Sequence, residues 1–244
     1  MRKEKLLVLA KAYPIISKKY ETLLCIAGIT EEKEWRRIYP VPMEDYIKVG
    51  KFQKRRWIEY EIKDEHPERR KESRKIYTNS IKVVGERENN EEIRKILRKK
   101  VTTIEELWNK NKEDGTSLGV IKPILERFEV KERAEEQEGK LLGQLTLSGR
   151  PAIKIDLIDK WIGYHFKCSD NCKGHICMCV DIEVGSLYRK LKAKNEQNIA
   201  RKMGHRLFDW MKSRELFFIM GTESHYGEWI IVSLFYPPNE NRHL

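Results

Sequence analysis

Four of the five cysteines fall between positions 168 and 179, in the segment Cys168-Ser169-Asp170-Asn171-Cys172-Lys173-Gly174-His175-Ile176-Cys177-Met178-Cys179. Cys168 and Cys172 have a spacing that lets one turn present both sulfurs to a single ion, and Lys173-Gly174 gives the chain freedom to bring His175 round to join them. A cytosolic compartment keeps thiols reduced, so such a group points to a metal site rather than a disulfide framework. The fourth ligand is open among Cys177, Cys179 and His165. In a strand, alternation sets His175, Cys177, Cys179, Asp181 and Glu183 on one face and Ile176, Met178, Val180, Ile182 and Val184 on the other, which favours Cys177. Four protein ligands leave no position for water, so the expected Zn²⁺ is structural. The plainer alternative is a half-buried strand whose cysteines act as small apolar fillers.

Asp181 and Glu183 share that metal-capable face ahead of a helix, the kind of site where hard oxygens hold Mg²⁺ against a phosphate. Nucleases that pair such an acid with a following Glu-x-Lys lack their lysine here, because Val184 and Gly185 follow Glu183. Asp45 with Glu61-Ile62-Lys63 is the better formal match, with Glu61 and Lys63 on one strand face. A Mg²⁺-dependent nuclease built on either set is therefore the alternative enzymatic reading. No phosphate-binding Walker loop, dinucleotide fingerprint, zinc-protease helix or nucleophile elbow occurs. His205 and His225 receive no role.

Lys and Arg number 49 against 38 Asp and Glu, a net charge of +11. Many of these charges interleave with aromatics in the first half of the chain. Arg36 and Arg37 follow Trp35, Lys51, Lys54, Arg55 and Arg56 surround Phe52 and Trp57, and Arg69 and Arg70 precede Tyr77. Cations that neutralise phosphates beside rings that accept unstacked bases make a nucleic-acid platform, so RNA or DNA is the expected partner. A protein-interaction scaffold using the apolar closing hairpin is the third reading. Hydrophobic residues at 40% and charged residues at 36% suit a folded, charge-rich domain rather than a disordered chain. No run approaches the ~20 apolar residues of a membrane helix, and the expected location is cytoplasmic.

Short strands are expected at Leu6–Ala10, Thr22–Ile29, Trp35–Pro42, Trp57–Lys63 and Ser80–Val84, the spacing of a small barrel or curled sheet. Helical periodicity follows over Glu91–Trp108 and strand-like material over Ser117–Val130. Glu129–Lys140 has no apolar face and is the candidate boundary. Helices are expected near Ser186–Lys194 and Asn198–Arg214, with a closing hairpin of Leu216–Thr222 and Glu228–Tyr236. The expected fold class is α+β: a β-rich, barrel-like (PUA- or OB-like) amino-terminal part, residues 1–130, and a carboxy-terminal α+β part, residues 141–244, containing the Cys/His cluster.

Several stretches are distinctive: Tyr13-Pro14 with Ser17-Lys18-Lys19-Tyr20-Glu21, Cys25 with Ala27-Gly28-Ile29, Trp35-Arg36-Arg37-Ile38-Tyr39-Pro40-Val41-Pro42, Phe166 with Cys168, Cys172 and Gly174-His175, and Phe235-Tyr236-Pro237-Pro238. Together they resemble a family of uncharacterised prokaryotic proteins over nearly the whole chain. The resemblance implies one shared architecture and transfers no catalytic residue, since that family has no established activity.

Overall fold

The run Leu6-Leu7-Val8-Leu9-Ala10 has no polar position, the pattern of a strand covered on both faces. In the computed structural model of the protein both faces are buried. The structure describes residues 2–13, 15–16, 22–133, 158–223 and 227–239. Strand β1 (Lys3–Lys11) turns Leu6 and Val8 into one apolar core and Leu7 and Leu9 into another.

Around the first core, β1 pairs antiparallel with β3 (Thr22–Thr30) on one side and β5 (Arg56–Asp64) on the other. β5 pairs with the long β6 (Ser73–Arg87), β6 with β4 (Trp35–Pro42), and β4 with β3, beside which lies the short β2 (Ile15–Ile16). The pairings run round from β1 back to β3. The result is a barrel-like curl rather than a regular barrel, because the β4–β6 joint is parallel and spans two register pairs, Arg37 with Ser73 and Ile38 with Arg74. Helix α1 (Met43–Lys48) adds Met43 and Tyr46 to the same core.

A second sheet, in the order β12-β11-β7, lies against the outer side of β1 and β3. It contains β7 (Leu118–Ile121), β11 (Phe217–Thr222) and β12 (Trp229–Phe235). Successive side chains leave a strand on opposite faces. Phe217 and Ile219 therefore meet Leu7, Leu9, Ala27 and Ile29, while Phe218 and Met220 enter a third core with Tyr164 and Phe166. Burying a side chain of this size contributes about 1.5–3 kcal/mol, so this central sheet binds the two halves of the chain together.

The third core also takes residues from three further helices and from a third sheet. Sheet order β10-β9-β8 joins β8 (Ile124–Glu132), β9 (Lys160–Lys167) and β10 (His175–Met178). Helix α2 (Asn90–Arg98), capped by Asn89, places Ile93 and Leu97 on the β1–β11 interface. Helix α3 (Ile104–Asp114) is capped by Thr103 and ends where Gly115 turns left-handed at φ +75°, a conformation glycine adopts without cost. It directs Ile104 and Leu107 toward the third core. Helix α4 (Ile182–Ala193) starts earlier than periodicity suggests, because the Asp181 carboxylate accepts the Glu183 N–H at 2.8 Å and caps it there. The stretch expected as one helix over Asn198–Arg214 is α5 (Ile199–Gly204), a π-helical turn (His205–Asp209) and a 3₁₀ turn (Met211–Ser213).

The mixed α and β, strand-rich class matches the sequence expectation. β7 and β8, read from sequence as the end of the amino-terminal part, pair with the carboxy-terminal strands β11 and β9. Of the candidate boundary, residues 129–132 lie in β8, while 134–140 and His225 lie outside the described residues. Of the two faces of β10 the odd-numbered one turns inward, as in the plainer reading of its cysteines as small apolar fillers. Ile176 is 61% exposed whereas Cys177 and Cys179 are buried. The reason is the sheet's packing: the odd-numbered side chains turn onto Phe166 and Phe218, and Ile176 stands opposite His165 and Arg127 on the outer face.

Candidate metal centre and basic surface

β9 ends at Lys167 and β10 begins at His175, whose register partner is Phe166. In the connection the Cys172 N–H donates to the Ser169 carbonyl at 3.1 Å, and Gly174, at φ +100°, reverses the chain. Its N–H points at Cys172 Sγ, 3.3 Å away. His175 Nε2 then lies 3.1 Å from Cys172 Sγ and 3.5 Å from Cys168 Sγ. Glu105, from the first turn of α3, completes the group. One of its oxygens is 3.2 Å from His175 Nε2 and the other accepts the Cys168 thiol at 3.4 Å.

These four side chains could hold a metal ion, their ligand atoms all lying within 4.8 Å of one another. Zinc bonds of about 2.0–2.3 Å imply tetrahedron edges of about 3.3–3.8 Å, and the separations of 3.1–3.5 Å are close to that range. The two thiols are unequal. Burial, with the neighbouring Cys172 thiol and Glu105, pushes Cys168 up to about 12. Burial also opposes ionisation of Cys172, but the backbone N–H groups of Cys168 and Gly174 outweigh it and hold that thiol below its ordinary value. Unpaired backbone N–H at the head of α3 lowers the Glu105 carboxyl in the same way.

Glu105 stands where alternation points to Cys177. Cys177 instead packs in the third core, where burial pushes its thiol up to about 12. Cys179 is buried beside it, and His165 sits on the sheet between Arg127 and Glu129, 3.2 Å from the latter. No spacing rule reaches Glu105, 63 positions from Cys168. Its local signal is the Thr103 cap, which sets an acidic first turn at the head of α3.

The acidic candidates are committed elsewhere. Asp181, 1% exposed, accepts from Lys54 Nζ at 2.9 Å, Ser233 Oγ at 2.9 Å and the Leu234 N–H at 2.7 Å, besides capping α4. Glu183 pairs with the same Lys54 at 2.9 Å. Lys54 is therefore a lysine close to Asp181 and Glu183, but it fastens the carboxylates instead of leaving them free for Mg²⁺. Asp45 accepts the Thr78 hydroxyl, and Lys63 lies 5.8 Å from the centroid of Tyr77. Among the described residues no group of three or more metal-capable side chains includes Asp45, Glu61, Asp181 or Glu183.

Of the basic residues expected to meet nucleic acid, Arg37 is 2% exposed and donates to the Ser117 carbonyl at 2.9 Å. Lys54 is buried against Asp181. Arg36 pairs with Glu4 and Glu34, and Arg70 with Glu68. Arg55 bonds the neutral amide of Asn90, while Arg56 and Arg69 donate to the carbonyls of Gly85 and Lys112. Lys51 is exposed. Trp57 donates to Glu88 at 3.1 Å and packs on the β1–β11 interface. Among the described residues Lys51, Arg55, Arg56 and Arg69 thus keep charges that no carboxylate cancels. A second basic and aromatic surface, absent from the sequence expectation, lies after α5. Lys212 Nζ is 3.9 Å from the Phe208 centroid and Arg214 is 4.2 Å from that of Trp210, which is 39% exposed.

Residues 99–244 match the family model described as "Domain of unknown function (DUF8757)". The chain belongs to that family. Residues 2–103 match a second model, "Domain of unknown function (DUF8758)", and the two meet between α2 and α3. No curated protein matches the chain. A solved structure described as that of a murine DNA-binding protein bound to double-stranded DNA aligns with 12% identity and a TM-score of 0.35, over 97% of this chain and 95% of that one. Among the described residues no helix is long and apolar enough to cross a membrane.

Proposed function

We propose that the protein binds nucleic acid through phosphate contacts and base stacking, and that a structural Zn²⁺ at Glu105, Cys168, Cys172 and His175 braces the carboxy-terminal half. The observation that carries the binding reading is the pair of cation–ring contacts after α5. Arg214 on Trp210 and Lys212 on Phe208 hold two cations beside an exposed ring, and neither cation meets a carboxylate among the described residues. Such a surface offers a base a flat face and its phosphate a charge at once. The net charge of +11 and the uncancelled Lys51, Arg55, Arg56 and Arg69 extend the attraction over the barrel-like layer. Zinc fits a sulfur- and nitrogen-rich set, and with four protein ligands it stabilises rather than catalyses.

Titration of labelled single- and double-stranded oligonucleotides at low and moderate salt tests the reading. Expected are an affinity that falls steeply with salt, because neutralised phosphates release counterions, and weakening by Trp210→Ala and Arg214→Ala. Absence of binding at low salt overturns it.

A further inference from the structure

A cavity of about 470 Å³ opens between the end of α2, the β7–β8 turn and the segment leading into β11. Its wall carries Arg98, Lys122, Lys212 and Arg214 against a single carboxylate, Glu215, and Asn239 also lines it. Glu215 is 6% exposed and acts as the anchor. Arg98 grips it in a two-toothed contact at 2.9 and 2.8 Å, Arg94 lies 2.9 Å away and Lys122 3.3 Å away. Glu215 thus orients Arg98 and Lys122 at the wall, which with Lys212 and Arg214 carries four cations against one carboxylate. Arg214 and Lys212, which also line the cavity, are held by Trp210 and Phe208 instead.

We propose that this cavity seats a terminal phosphate of a nucleic-acid strand. The inference rests on the nucleic-acid reading above and adds to it which part of the strand is recognised. A phosphomonoester carries close to two charges at neutral pH, whereas an internal diester carries one, so a cavity wall with more cations than carboxylates discriminates in favour of an end. The volume accommodates a nucleotide-sized group. Side chains already fixed by Glu215 and by the rings lose little freedom on binding, and guanidinium groups match phosphate oxygens in pairs. Exposed Trp210, held against Arg214, is placed to stack the terminal base.

Binding of the full chain to one short single strand is compared in its 5′-phosphate, 3′-phosphate and unphosphorylated forms, with inorganic phosphate as a further probe. Variants are Lys122→Ala and Arg214→Ala, chosen over Arg98 because its two-toothed contact is the stronger hold on Glu215; unchanged melting temperatures show that they fold. Expected is a preference of about tenfold for one phosphorylated form, the scale of one or two charge-assisted hydrogen bonds, lost in both variants while binding of the unphosphorylated strand falls less. Equal binding of all three forms, unaffected by the variants, overturns the end-recognition assignment and leaves general nucleic-acid binding standing. Binding of inorganic phosphate without binding of any strand overturns both.

Discussion

Lys54 and Asp181, 127 positions apart in sequence, meet at 2.9 Å with the carboxylate 1% exposed. The pair spans the junction of the barrel-like layer and the carboxy-terminal half; burial pulls the Lys54 ammonium down, but the charges and hydrogen bonds of Asp181 and Glu183 outweigh it and hold it above its ordinary value. Removing one partner of a buried pair strands the other charge, at a cost of about 3–5 kcal/mol, whereas replacing both by apolar groups is often nearly neutral. Lys54→Met is therefore expected to lower stability strongly in urea unfolding, and Lys54→Met with Asp181→Asn, which removes the stranded charge and keeps an oxygen for the α4 cap, to recover part of the loss. A Lys54→Met change within about 0.5 kcal/mol of the parent means that the junction does not depend on this pair.

Lys11 is buried close to that pair, donating to Tyr46 Oη and the Phe52 carbonyl at 2.7 Å each. Burial first, and then Lys54, lower it to about 8, against the opposing pull of Glu183 and Asp181. Because the folded value is depressed, the unfolded chain binds more protons between about pH 8 and its ordinary value near 10.5. The Lys11 contribution to stability therefore rises with pH across that window and is least favourable below it. The full swing is on the order of 3 kcal/mol. Lys11→Met is expected to be more stable relative to wild type at pH 7 than at pH 10, and a difference independent of pH refutes the assignment.

The strands of the barrel-like layer are legible in sequence because apolar runs and alternation bounded by Pro, Gly and charged turns set strand ends locally. Leu6–Ala10 even betrays its two covered faces. Side chains within one turn that could hold a metal ion, Cys168, Cys172 and His175, are legible for the same reason. Glu105 is not, since its approach depends on how α3 packs against the β9–β10 connection. Nor could alternation tell which face of β10 turns inward: Cys177 and Ile176 are both apolar enough to be buried, and the choice falls to Phe166 and Phe218 beneath them. Arg37 and Lys54 look like surface charge in sequence because the groups that bury them, Ser117 and Asp181, lie 80 and 127 positions away in the chain.

Gly28 allows β1 and β3 to approach. A Cβ there would lie 2.0 Å from the Leu7 carbonyl oxygen, an atom of the backbone that cannot turn aside. Gly28→Ala must therefore push apart the strands that join the first core to the central sheet. A loss of about 2 kcal/mol or more is expected from overpacking, with loss of amide protection in β1 and β3 seen by hydrogen exchange. Gly85→Ala is the control, as its Cβ would meet nothing within 4 Å at φ +71°, so only backbone strain of about 1 kcal/mol applies. Equal effects of the two show that close approach is not what Gly28 supplies.

The metal centre makes the most discriminating prediction, because the two candidate fourth ligands are different residues in different places. Protein purified without a metal-affinity tag is expected to contain one zinc per chain by elemental analysis, and Cys168→Ser, Cys172→Ser and His175→Ala to lose it. Glu105→Gln replaces a charged oxygen by a weak neutral one and should lower affinity, while Cys177→Ser should keep the full zinc content despite a packing cost in the third core. An ion at these residues would tie the head of α3 to the β9–β10 connection, so a chelator is expected to lower the melting temperature; at about 2–4 °C per kcal/mol for a chain of this size, a contribution of about 3 kcal/mol appears as roughly 6–12 °C. Zinc retained in Glu105→Gln and lost in Cys177→Ser would reverse the assignment of the fourth ligand, and zinc well below one per chain in the parent protein would reduce the four side chains to a hydrogen-bonded cluster.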